Sequence, residues 1–118
     1  MKCEICIDVE DVDRAVQFYA RGIGLTVAKQ EQDWAQLKIG EQTVWLMKIG
    51  SGPEGAISRD YGRHWTPVHL DFHVDDIDQA VERAVAAGGK LERRPKKDLA
   101  NLSDPSGNGV DLVQLADS

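Results

Sequence analysis

The chain has 118 residues, a length that suits one domain with a real core and leaves nothing for a second. Its 14 Lys and Arg against 20 Asp and Glu give a net charge of −6, which argues against a nucleic-acid partner or an anionic membrane. No apolar run nears the roughly 18 residues that span a bilayer, and Met1-Lys2-Cys3 leads straight into a strand, so a cytoplasmic protein with no membrane partner is expected.

Glu4 to Val9 alternates apolar and polar residues, the pattern of a half-buried strand. Asp11 then stands as the N-cap of a helix whose apolar stripe is Val12, Ala15, Val16, Tyr19 and Ala20, with Gly22 as its stop. Leu25 to Lys29, Trp34 to Ile39 and Thr43 to Lys48 read as three further strands, with turns at Glu31-Gln32-Asp33 and Gly40-Glu41. Gly50 to Pro67 is a linker rich in glycine and charge, long enough to lie over a cleft. Its glycines at 50, 52 and 55 have the spacing of a dinucleotide fingerprint. Pro53 and the short polar stretch after it rule out the phosphate-capping helix that such a motif needs. His69 to Val74 opens a second strand–helix pair, with Asp76 as cap, a stripe of Ile77, Ala80, Val81, Ala84 and Val85, and Gly88 with Gly89 as the stop. Lys90 to Arg93, Leu99 to Ser103 and Gly109 to Gln114 are the last strands, the final two joined by the turn Asp104 to Asn108.

The second half restates the first. Glu4 to Gly24 and His69 to Gly89 align without gaps at an offset of 65 residues, and Val9, Asp11, Asp13, Ala15, Val16 and Gly24 recur as Val74, Asp76, Asp78, Ala80, Val81 and Gly89. Each half is βαβββ, and such repeats pack around a shared core or cleft. This divides the chain into module 1 (1–49), linker (50–67) and module 2 (68–118). On the strands, Ile5, Ile7 and Val9, then Leu70, Phe72 and Val74, face the helices. Ala35, Leu37, Ile39, Val44 and Leu46 face the core. The other face carries Glu4, Cys6, Asp8, His69, Asp71, His73, Trp34, Gln36, Lys38, Thr43, Trp45 and Met47. Cys3 and Cys6 lie three apart on a strand, point to opposite faces, and are expected to stay reduced. Arg93, Arg94, Lys96 and Lys97 around Pro95 read as a solvated loop or as a site for an anionic ligand group.

The wording of these segments resembles the vicinal oxygen chelate superfamily of glyoxalase I, bleomycin-resistance proteins and extradiol dioxygenases. The matching elements are Val-Glu-Asp-Val-Asp-Arg-Ala-Val-Gln-Phe-Tyr with Gly-Ile-Gly-Leu, then Val-His-Leu-Asp-Phe-His-Val-Asp-Asp and Asp-Pro-Ser-Gly-Asn-Gly-Val-Asp-Leu-Val-Gln. The resemblance spans essentially the whole chain. It implies an α+β fold in which two βαβββ modules form an open, U-shaped β-barrel with helices outside, and a homodimer by family habit. It also implies a metal position on the first and last strand of each module, which here gives Glu4, Trp45, His69 and Asp111. An indole only donates, so Trp45 ligates nothing. Glu4, His69 and Asp111 are left, a set able to hold Mn²⁺, Fe²⁺, Zn²⁺ or Mg²⁺.

Two readings of function follow. In the first, the chain is a metal-free small-molecule-binding protein in which Trp34 and Trp45, helped by Asp8, Asp71 and His73, grip an aromatic or cationic ligand. In the second, it is a divalent-metal-dependent lyase, isomerase or dioxygenase that uses Glu4, His69 and Asp111 as ligands, with Asp71 as a candidate base. His64 is expected at the surface of the linker.

Overall fold

The computed structural model describes residues 1–48, 61–63, 66 and 68–116. The glycine-spaced segment, His64 and most of the linker lie outside the described residues.

In chain order the elements are β1 (Ile5–Val9), α1 (Val12–Val16, continued as a π-helical segment over Gln17–Ile23), β2 (Thr26–Gln30), β3 (Trp34–Ile39) and β4 (Gln42–Lys48). Module 2 follows with β5 (Leu70–Val74), α2 (Ile77–Ala86), β6 (Lys90–Lys96), β7 (Leu99–Ser103) and β8 (Gly109–Gln114). They form two four-stranded sheets, ordered β1-β4-β3-β2 and β5-β8-β7-β6. In each sheet the first strand runs parallel to the last and the remaining pairs are antiparallel. β1 and β5 are sheet edges, and the two sheets are not joined by a ladder. The barrel is therefore open, as the repeat and the resemblance implied. Among the described residues no helix is long and apolar enough to cross a membrane.

Local chemistry explains the repeated elements. Asp11 accepts from the Arg14 N–H at 3.0 Å, and Asp76 accepts from the Gln79 N–H at 3.1 Å, so both helices begin under a carboxylate cap. The first helix ends later than the sequence suggests. It runs through Gly22 to Ile23, and Gly24 closes it at φ 110°. Gly22 is small for a packing reason: a Cβ there would stand 3.1 Å from the Ala87 side chain and 3.2 Å from the Ala84 backbone of α2. The wider π turn also brings Phe18 inward beside Tyr19, and both rings are fully buried. Strand alternation places Val9, Ala35, Leu37, Val44, Leu46, Phe72, Leu102, Val110 and Leu112 in the core. Ile39 departs from expectation at 44 % exposure, because it closes β3 opposite Gln42 at the hairpin turn, beyond the cover of the helix. Val85 is likewise exposed on the flank of α2. β6 runs on to Lys96, so the first three basic residues around Pro95 lie on a strand rather than a loop.

Hydrogen bonds stitch the modules together. Arg83 of α2 donates to the Gly22 carbonyl at 3.0 Å. The turn before β8 does more. Asp104, 4 % exposed, accepts from the Tyr19 hydroxyl at 2.7 Å and from the Ser106 and Asn108 backbone N–H groups and the Asn108 side chain. Ser106 in turn accepts from the Glu10 N–H, and Asn108 donates to the Asp8 carbonyl. Every donor round this buried carboxylate is thus used, as burial of a charge requires.

Candidate functional site

Sheet register decides which side chains meet, because residues paired across strands point to the same side. In module 2, Asp71 on β5 pairs with Asp111 on β8, Asp111 with Asn101 on β7, and Asn101 with Arg93 on β6. Four polar side chains therefore cross the concave face in one row. His69 precedes β5 and points to the same face, two residues from Asp71. Its Nδ1 lies 3.1 Å from an Asp71 oxygen and 3.7 Å from an Asp111 oxygen. One ligand atom from each of these three residues falls within 4.8 Å of the others. Asn101 donates to the second Asp111 oxygen at 2.7 Å and fixes that carboxylate.

A cleft of about 430 Å³ opens over the Arg93, Asn101 and Asp111 part of the row, lined also by His69 and Leu99. One end is closed by an ion pair. Arg63 meets Glu92 through two of its nitrogens, Nε to Oε2 at 2.6 Å and Nη2 to Oε1 at 2.8 Å. The hydrogen-bonded guanidinium holds the Glu92 carboxyl below the usual carboxylate range, and Glu92 raises Arg63 in turn. Gly109 leaves room for this bridge, since a Cβ there would stand 3.3 Å from Arg63 Nη2. A register shift between Leu91 and Arg93 explains how Glu92 and Arg93, consecutive on β6, both reach the cleft.

The other expected residues lie elsewhere. Glu4, just ahead of β1, is outside the His69 cluster and stands 3.9 Å from Lys2. Trp45 on β4 meets Trp34 edge-on, with ring centroids 5.7 Å apart, and the Lys29 ammonium sits 5.6 Å over the Trp34 ring. Asp8 lines a second groove of about 240 Å³ between β1 and the start of module 2, together with Cys6 and His69. His73 lines a separate hollow with Asp75, Asp76, Gln79 and Arg83. Cys3 and Cys6 are exposed and outside any disulfide. Asn101, Arg63 and Glu92 carry no signal in the sequence that separates them from ordinary surface residues; the register of β6, β7 and β8 brings Asn101 and Glu92 to the site, and Arg63 reaches it from the linker through Glu92.

Comparison with known proteins gives a consistent picture. Residues 4–113 match the model of a family described as "Glyoxalase-like domain". The chain is 27% identical over 122 residues to a probable chloroplastic lactoylglutathione lyase of Arabidopsis thaliana, covering 90% of this chain and 33% of that protein. It is 24% identical over 120 residues to a probable lactoylglutathione lyase of Vibrio cholerae, covering 90% of this chain and 84% of that one. It thus spans a third of the plant relative and most of the bacterial one. Among solved structures, a glyoxalase-related enzyme from Fulvimarina pelagi superposes with a TM-score of 0.75 at 16% identity, covering 98% of this chain and 89% of that chain.

Proposed function

This chain belongs to the glyoxalase-like domain family, within the vicinal oxygen chelate superfamily, and from that premise we propose that its module 2 cleft is a divalent-metal-dependent lyase or isomerase site for a small molecule with adjacent oxygens. The observation that carries the reading is the convergence of His69, Asp71 and Asp111. Ligand atoms that share a cation through bonds of about 2.1 Å stand roughly 3 Å apart when adjacent. The separations of 3.1 Å and 3.7 Å from His69 Nδ1 suit that requirement. An imidazole with two carboxylates also suits Mn²⁺, Fe²⁺ or Zn²⁺.

Asp71 takes the place in this set that Glu4 was expected to fill, and so joins the ligands rather than standing apart as a base. A cation held there would polarise adjacent substrate oxygens and stabilise the charge that develops on them. The chain's own groups supply the rest. Asn101 orients Asp111, the kind of outer contact that tunes a metal ligand. Leu99 and Pro95 line the cleft, while the Arg63–Glu92 bridge closes one end. The names of the curated relatives, lactoylglutathione lyases, support the lyase class.

Metal-free capture of an aromatic or cationic ligand by Trp34 and Trp45 has less support. The two indoles already meet each other, and Lys29 occupies the face of Trp34 that a ligand cation would seek. A homodimer and a cytoplasmic location remain part of the proposal.

Elemental analysis of protein purified without chelator and then loaded with Mn²⁺, Fe²⁺ or Zn²⁺ tests the reading. About one metal per chain is expected, lost in His69→Ala and in Asp71→Ala. A wild-type chain that holds none of the three ions overturns it.

A further inference from the structure

The two modules place a cation at the same point of their sheets. In module 1, Lys29 pairs with Gln36, Gln36 with Trp45, and Trp45 with Cys6. In module 2, Arg93 pairs with Asn101, Asn101 with Asp111, and Asp111 with Asp71. Both cations follow a register shift, between Val27 and Lys29 and between Leu91 and Arg93. The cations then differ in what they meet. Lys29 sits over Trp34, whereas the residue at the Trp34 position of module 2 is Leu99. An aliphatic side chain offers no quadrupole to a guanidinium. Among the described residues the Arg93 side chain has no hydrogen-bond or ion-pair partner. Its neighbours are engaged: Arg94 by Asp78 and by the Lys96 and Lys97 carbonyls, and Arg63 by Glu92.

Arg93 is therefore an uncommitted cation lining the same cleft as His69 and Asp111. Two strand spacings, roughly 10 Å between backbones, separate it from Asp111. The bridge to Arg63 neutralises Glu92 beside it, so the Arg93 end of the cleft is positive and the His69–Asp71–Asp111 end negative. Building on the metal reading of that end, we infer that Arg93 is an anion-binding subsite. The substrate class is a small organic acid with its chelating oxygens at one end and a carboxylate or phosphate at the other. A guanidinium fork recognises either group through charge-assisted hydrogen bonds.

Calorimetric titration of the Mn²⁺-loaded protein with glycolate and with malate tests the inference. Both acids carry a hydroxyl beside a carboxylate, and malate adds a second carboxylate. Malate is expected to bind about tenfold tighter than glycolate to the wild type. Arg93→Ala should abolish that advantage and leave glycolate and Mn²⁺ binding unchanged, while Arg93→Lys keeps part of it. Lys97→Ala removes the same charge without touching the cleft lining and should have no effect. Equal binding of the two acids by the wild type overturns the inference, as does an advantage that survives Arg93→Ala or falls equally with Lys97→Ala. If the wild type takes up no Mn²⁺, it is the metal reading that has failed. Inorganic phosphate on the metal-free protein then decides for Arg93: binding weakened several-fold by Arg93→Ala supports the subsite, and unchanged binding rejects it.

Discussion

Module 1 and module 2 share a backbone plan and differ in what their concave faces carry. The row that reads Lys29–Gln36–Trp45–Cys6 in the first reads Arg93–Asn101–Asp111–Asp71 in the second. The outer cation and the amide are kept in kind. The inner two positions change from an indole and a thiol to two carboxylates, and His69 meets both of them. Pseudo-symmetric folding thus supplies one scaffold twice, and a change at two paired positions gives one copy a cluster of groups able to ligate.

The largest effect should come from the turn between the last two strands. Asp104 is buried with every oxygen in use, whereas its repeat counterpart in module 1, Ile39, is 44 % exposed at a shorter turn. Asp104→Ala would orphan the Tyr19 hydroxyl and the loop N–H groups and loosen the join between modules. It should cost about 3 kcal/mol or more in chemical denaturation. Ile39→Asp, the symmetric change, should stay within about 0.5 kcal/mol. Comparable losses from both would break the comparison.

A smaller effect separates the two amides. Asn101→Ala frees the Asp111 carboxylate and should weaken Mn²⁺ binding about tenfold, while Gln36→Ala in module 1 should leave it unchanged. Competition with a fluorescent chelator reads both constants. A wild-type constant in Asn101→Ala would remove the orienting role from that contact.

The smallest effect concerns the register shifts, where module 2 carries Glu92 and module 1 carries Ala28. The folded-state pKa of Glu92 lies below its ordinary value, so its contribution is fully present above the unfolded glutamate range and is lost as pH falls through the folded pKa. Wild type should therefore lose stability on acidification below the ordinary glutamate value of about 4.5. Glu92→Gln should lower stability near neutrality and flatten that acid limb. Identical acid limbs would show that the Arg63 bridge contributes nothing.

The sequence made much of the scaffold visible. β3, β7 and β8 begin and end at the residues the sequence marked, and both Asp caps stand where the stripes begin, because these signals are local. Gly22 was misleading for the opposite reason. Its smallness serves contact with α2, a neighbour far along the chain, and the true stop is Gly24. At the site, the resemblance implied His69, Asp111 and Glu4 as ligands, with Asp71 expected beside them as a base; the structure gathers Asp71 with His69 and Asp111 and leaves Glu4 outside their cluster. Arg93 was legible as part of a basic cluster open to an anionic group, whereas Asn101 and the Arg63–Glu92 bridge acquire a role only through tertiary contacts.

By itself, then, the sequence determined two βαβββ modules and the face on which their chemistry differs, since period, caps and repeat offset are properties of nearby residues. Tertiary structure alone decided which carboxylates His69 meets and which cation is left unpaired. Those outcomes depend on strand register and on two bulges, and one residue of slip in either would turn the same side chains to the other face.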